Sequence, residues 1–147
     1  MVNNFNFGDA PGPLIRRAQQ IAVAIFMEET AAFDVTPVQF AILNALQDEP
    51  GEDQITLSGR VAFDPATFGS VIGRLEAKGW VIRKSDPLDK RRKLLWATPE
   101  GELVAGQMAG AVSKAQLRIV DPLDADEHLQ LKLLLGKLIA GHENALR

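Results

Sequence analysis

Apolar residues recur along this chain with a helical period in six stretches and gather densely in two short ones. Leu14, Ala18, Ile21, Ala22 and Ile25 fall on one face, widened by Ile15 and Phe26, and predict a first helix from Pro11 or Pro13. Thr36-Pro37-Val38-Gln39 reads as a capping box with proline at the first helical position; Phe40, Leu43 and Leu46 then supply a buried face up to about Gln47. Asp53 suits the cap of a short third helix with Leu57 and Val61 inward, and Ala62-Phe63 would be the turn that follows. Next comes DPATFGSVIGRLEAKG. Phe68, Ile72 and Leu75 share one face, Asp64 caps, Pro65 opens the first turn and Gly79 is a natural stop. Two strands rich in Trp, Val, Ile and Leu are expected at Trp80–Ser85 and Lys93–Ala97, joined by a charged turn over Asp86–Arg92.

Beyond the hairpin, Thr98 and Pro99 start a long helix to about Val120, with Leu103, Val104, Met108, Ala111, Val112 and Ala115 at helical spacing. Asp124-x-x-Glu127 resembles a capping box for a final helix. That helix is apolar around much of its circumference through Leu129, Leu131, Leu133, Leu134, Leu135, Leu138 and Ile139. A terminal helix of this kind needs cover on more than one side. Together with the first helix it suggests packing between subunits, through Leu14, Ile21, Ile25, Leu129, Leu134 and Leu138; an intramolecular core role for the first helix is the competing interpretation. The expected class is therefore mainly α with a small β-hairpin. Residues 1–10 are expected to form a flexible arm.

Charge changes the picture more than composition does. The 147 residues are 46% hydrophobic and 24% charged, ordinary values for one globular domain. No run approaches a membrane span, and the N-terminus lacks the basic and apolar regions of a signal peptide, so a cytoplasmic location is expected. The absence of cysteine excludes disulfides and thiol-based redox sensing. Net charge is −3, yet Leu57 to Lys93 holds nine basic residues against four acidic ones. A local basic patch on an acidic body suffices for phosphate contacts.

The face of the fourth helix opposite its apolar stripe carries Ala66, Thr67, Ser70, Gly73, Arg74 and Ala77, with no carboxylate. Taken alone this is as readily a solvated face as a contact surface. Lys90, Arg91, Arg92 and Lys93 form a consecutive basic run at the following loop. A basic hairpin directly after such a helix is the arrangement of a winged helix on DNA, the helix in the major groove and the wing on phosphates or in the minor groove.

Arg74-Leu75-Glu76-Ala77-Lys78-Gly79, Asp86-Pro87-Leu88-Asp89-Lys90-Arg91 and Ala97-Thr98-Pro99-Glu100-Gly101 stand in the order and spacing of the MarR family of bacterial regulators, which this chain resembles over nearly its whole length. The resemblance implies a winged helix-turn-helix with six helices, one domain over 1–147, a DNA-binding lobe over 36–98, and dimerisation helices over 11–32 and 99–147. It departs from the family at Ala62, where glycine is common, and at Ser58, where alanine is common. The partners implied are a second copy of the chain and a palindromic double-stranded operator. Pro65, Thr67, Gly69, Ser70 and Arg74 are the expected helix contacts. Arg74 is the candidate for bidentate guanine contact, unless it pairs with Glu76 or Asp64. By resemblance Arg91 enters the minor groove and Asp89 orients it, with Lys90, Arg92 and Lys93 as electrostatic anchors. A winged-helix module for ligands or proteins, without DNA binding, is the alternative function.

Catalytic motifs are not found: there is no Gly-rich phosphate loop, no G-x-S-x-G and no H-E-x-x-H, so no enzyme and no cofactor is expected. His128 and His142 sit nearly four turns apart, too far to share one metal within a chain, and read as solvated helix histidines. Many members of the family release DNA when a small, often aromatic, carboxylate binds. Arg16 and Arg17 are the candidates to pair with such an acid, and PLIRRAQQIAVAIF resembles regulators of aromatic-acid catabolism. Salt bridges between helices or subunits are the competing role for these two arginines.

Overall fold

In the computed structural model, residues 6–61 and 64–143 are described. The elements run α1 (Pro11–Glu29), α2 (Pro37–Asp48), β1 (Glu52–Asp53), α3 (Gln54–Arg60), α4 (Pro65–Ala77), β2 (Val81–Ser85), β3 (Lys93–Ala97), α5 (Pro99–Ile119) and α6 (Ala125–Glu143). The chain divides into two compact units. One runs from Phe26 to Ser113; the other combines the described residues up to Ile25 with those from Lys114 onward. The expected turn at Ala62-Phe63 lies outside the described residues.

The unit from Phe26 to Ser113 is a winged helix-turn-helix. Its core joins Ile42, Leu43 and Leu46 of α2, Leu57 of α3, Phe68, Ile72 and Leu75 of α4, and Leu95 of β3, all essentially inaccessible to solvent. Val71 of α4 also joins this core. A smaller cluster gathers Phe26, Val35 and Met108, with Phe40, Trp80, Val104 and Val112 packed around it. The helix starts are locally encoded. Thr36 and Gln39 form the reciprocal capping box, at 3.2 and 3.1 Å. The Asp53 carboxylate accepts from the Thr56 amide at 3.4 Å, and the Asp64 carboxylate from the Ala66 and Thr67 amides at 3.1 and 3.2 Å.

The sheet has the order β1-β3-β2, all antiparallel. Two features differ from the sequence reading. Residues Glu52–Asp53 add a third strand, pairing Glu52 with Leu95 and Asp53 with Leu94. The second strand begins at Val81, because the Trp80 amide closes the end of α4 on the Leu75 carbonyl, 3.0 Å away. Gly79 makes this ending possible by taking φ +78°, which side-chain-bearing residues rarely adopt. Trp80 still meets the sheet end, as its carbonyl accepts from the Thr98 amide at 2.9 Å.

The other unit contains the N-terminal part of α1 and helix α6. Asp124 and Glu127 form the expected reciprocal cap, at 2.9 and 3.0 Å. Helix α6 has no buried residue in the single chain. Within the expected N-terminal arm, Phe7–Asp9 form a short 3-10 turn capped by Asn6. Among the described residues, no helix is long and apolar enough to cross a membrane.

Candidate nucleic-acid interface and effector recess

Helix α4 turns its apolar stripe into the core, which leaves Ala66, Thr67, Ser70, Gly73, Arg74 and Ala77 exposed together. Pro65 at the helix start is also exposed. The two pairings weighed for Arg74 are not formed. Glu76 is held by Arg83 of β2 at 3.1 Å, and Asp64 is engaged by the helix N-terminus. The Arg74 guanidinium therefore has no partner among the described residues. Gly73 faces open space. Gly69 instead lies beside Gln54 of α3, whose amide nitrogen would sit 3.7 Å from a Cβ placed there. That is an ordinary van der Waals distance, so packing against α3 does not itself require glycine there.

Two contacts that periodicity could not reveal lock α4 to its neighbours. Arg83 bridges Glu76 and the Gln54 side chain, at 3.1 and 3.4 Å, and so joins α4, β2 and α3. Lys78 donates to the Asp34 carbonyl at 2.9 Å and lies 4.6 Å from the centre of the Trp80 ring. A basic residue near a carboxylate in sequence would have been the signal for the first, but the partners stand seven and 29 residues apart.

The wing separates the four consecutive cations into different roles. Asp89 accepts from the Arg91 amide and from Arg91 Nε, both at 3.1 Å, while the Arg91 side chain stays 91% exposed. Those contacts hold the Asp89 carboxyl below its ordinary pKa, the Arg91 side chain contributing most. Lys90 projects without a side-chain partner among the described residues. Lys93 donates to Ser85 Oγ at 2.7 Å, and Arg92 pairs with Asp86 at 3.0 Å. Arg91, Arg92 and Lys93 are thus each bonded within the wing, but Arg91 stays far more exposed than Arg92, and Lys90 is left with its charge outward.

Between α3, the start of α4 and the wing lies a cleft of about 220 Å³, bordered by Asp53, Ile55, Pro65, Arg83, Arg91 and Lys93. In the other unit, a recess of about 400 Å³ is lined by Phe7, Gly12, Pro13, Arg16, Arg17 and Gln20. Arg17 donates to Gln20 Oε1 at 3.3 Å, one turn along its own helix, whereas Arg16 has no partner among the described residues. No group of three metal-ligating side chains occurs among the described residues. The proposed dimer residues Leu14, Ile21, Leu129, Leu134 and Leu138 are exposed in the single chain, and Ile25 is half-buried.

Comparison with known proteins agrees with this architecture. The model of the MarR family matches residues 33–92. The transcriptional repressor NicR of Pseudomonas putida is 31% identical over 134 residues, covering 91% of this chain and 85% of NicR. Among solved structures, BpsR of Bordetella bronchiseptica, whose DNA binding is regulated by 6-hydroxynicotinic acid, aligns with a TM-score of 0.86 at 30% identity over 91% of this chain and 96% of its own. The regulator PcaV of Streptomyces coelicolor, in complex with its natural ligand, aligns with a TM-score of 0.82 at 32% identity, covering 92% and 96%. The chain belongs to the MarR family of transcriptional regulators.

Proposed function

We propose that this protein is a homodimeric repressor that binds a palindromic DNA duplex and is released by a small aromatic carboxylate. The observation that carries the DNA reading is the pairing, within one unit, of an exposed carboxylate-free face on α4 with a wing whose Arg91 is held by Asp89 yet open to solvent. Thr67, Ser70 and Arg74 would meet phosphates and base edges in the major groove, with Arg74 the bidentate reader of guanine. Arg91 would enter the minor groove, and Lys90 would sit on phosphate. Two-fold pairing of the chains through the exposed leucines would set the two α4 helices about one DNA turn, roughly 34 Å, apart.

The effector reading rests on Arg16, an unpartnered cation in a recess that also offers Phe7, Pro13 and Gln20. A guanidinium with a flat apolar wall suits an aromatic acid. NicR, BpsR and PcaV support it as relatives that repress, answer to 6-hydroxynicotinic acid, or bind a natural ligand. The acid acts only through its different affinity for the DNA-competent and incompetent arrangements.

The test is fluorescence anisotropy with a labelled duplex from the gene's own upstream region, across a salt series and with a panel of aromatic acids including 6-hydroxynicotinic acid. The expected result is tight binding with a steep negative salt slope that is lost on scrambling the palindrome and reversed by one acid. Arg91→Ala should weaken binding by at least about tenfold without lowering Tm, roughly the scale of one lost groove contact. Arg16→Ala should keep DNA binding and lose the response to the acid. Weak binding that ignores sequence would favour a winged-helix interaction module instead.

A further inference from the structure

The wing tip contains two Asp–Arg pairs of the same design. Asp86 accepts the Leu88 amide at 2.9 Å and Arg92 Nη1 at 3.0 Å. Asp89 accepts the Arg91 amide and Arg91 Nε, both at 3.1 Å. In each, a carboxylate takes the amide two residues onward and then an arginine. Their surroundings differ. The Asp86 side chain is 9% exposed and that of its arginine 53%; the corresponding values for Asp89 and Arg91 are 36% and 91%. The main chain closes around the inner pair as well: the Asp86 amide donates to the Arg92 carbonyl and the Arg92 amide to the Asp89 carbonyl, both at 2.9 Å.

We propose that Asp86 and Arg92 form a positioning pair that holds the shape of the wing tip, so that Arg92 acts on DNA through Arg91 and not by touching phosphate itself. This rests on the wing being a DNA contact. A nearly buried carboxylate needs compensation for its lost hydration, and Arg92 supplies the charge while Leu88 supplies the amide. The same two residues close the loop on which Arg91 is carried. Of the three cations that the family resemblance makes electrostatic anchors, Arg92 becomes a strut, and the most outward charges of the wing tip are Lys90 and Arg91.

The experiment compares Asp86→Asn, Arg92→Ala, Lys90→Ala and the charge swap Asp86→Arg/Arg92→Asp in the full-length protein. Asparagine at 86 can still accept the Leu88 amide, so Asp86→Asn isolates the ion pair. Amide exchange is read first, without DNA: Asp86→Asn and Arg92→Ala should each lose protection at the Asp86 and Arg92 amides, while Lys90→Ala keeps it. Unchanged protection in both would overturn the proposal whatever the DNA result. Binding to a duplex that the wild type recognises is read second. Asp86→Asn and Arg92→Ala should weaken it similarly, by about fivefold or more, with the salt slope unchanged, and the swap should recover part of the loss. Lys90→Ala should instead reduce the slope by about one. If Arg92→Ala reduces the slope while Asp86→Asn binds normally, Arg92 is a phosphate anchor and the proposal fails. Should the wild type bind no duplex, the DNA function falls, and the exchange data alone decide whether the pair shapes the tip.

Discussion

Helices α4 and α6 are both rich in apolar residues, and they treat them oppositely. Helix α4 buries Phe68, Val71, Ile72 and Leu75 within its own unit and leaves a small, hydroxylated face outside. Helix α6 buries nothing in the single chain: Leu129, Leu133, Leu134 and Ile139 are each more than half exposed. A stripe of one-sided periodicity finds its cover locally; a helix apolar around most of its circumference exceeds what one chain supplies. The difference separates apolar surface covered within the fold from apolar surface that the proposed second copy would cover.

The largest effects should come from breaking each side of that contrast in turn. Phe68→Ala removes a fully buried ring and should cost about 3–5 kcal/mol, with the loss in Tm the same at every protein concentration. Leu134→Glu with Leu138→Glu should act differently. Light scattering should find half the wild-type mass, and the rise of Tm with protein concentration should disappear. A wild type that scatters as a single chain would remove dimerisation as the cover for α6.

A smaller effect sharpens the comparison within the winged unit, at the start of α5. A Cβ at Gly101 would collide with the backbone carbonyl oxygen of Trp80, which cannot swing aside like a side-chain tip. That carbonyl is fixed by the Thr98 amide, and Thr98 Oγ1 in turn donates to the Gly79 carbonyl at 2.6 Å and accepts the Gly101 amide at 3.0 Å. Gly101→Ala should therefore destabilise by about 1–3 kcal/mol despite alanine's better helix propensity. Gly106→Ala, on the same helix and facing open space, is the control and should stabilise by up to about 1 kcal/mol. Equal Tm shifts in the two variants would dismiss the clash.

These residues also mark what could be read from the chain alone. Capping boxes, the stop at Gly79 and the α4 stripe are encoded within a few neighbouring positions, so Thr36 with Gln39, Asp124 with Glu127, and Phe68, Ile72 and Leu75 were all legible. The family motif ending at Gly101 was legible as a pattern; its cause, the Trp80 carbonyl, lies 21 positions earlier. Strand β1 is only two residues long and exists because Leu94 and Leu95 pair with it, which no local periodicity announces. The site divides the same way. The exposed face of α4 follows from its buried one, but the partition of the cations around Arg83, Arg91 and Arg92 depends on Glu76, Asp89 and Asp86 in three dimensions. A run of charges does not say which of its members is already paired.

The smallest effect concerns how α4 begins. The Asp64 carboxyl lies below its ordinary pKa, first through the Thr67 hydroxyl and then through the Thr67 and Ala66 amides. A group whose folded pKa is depressed contributes stability that is present above its unfolded pKa, about 3.9, and is lost as pH falls through the folded value. Protection of the Ala66 and Thr67 amides should therefore be steady near neutrality and decline only below about pH 4, as the carboxylate takes up its proton. Asp64→Asn keeps an acceptor but has no charge to lose, so its protection should start lower and stay flat over the same range. Helix α6 supplies the matching contrast, because its cap is shared between Asp124 and Glu127: the Asp124 amide is bonded to Glu127 and the Glu127 amide to Asp124. Asp64→Ala leaves both first-turn amides of α4 to water, while Asp124→Ala leaves the amide at position 124 still held by Glu127. Acid dependence that persists unchanged in Asp64→Asn would assign the effect to another carboxylate and separate the α4 cap from the acid sensitivity of the winged unit.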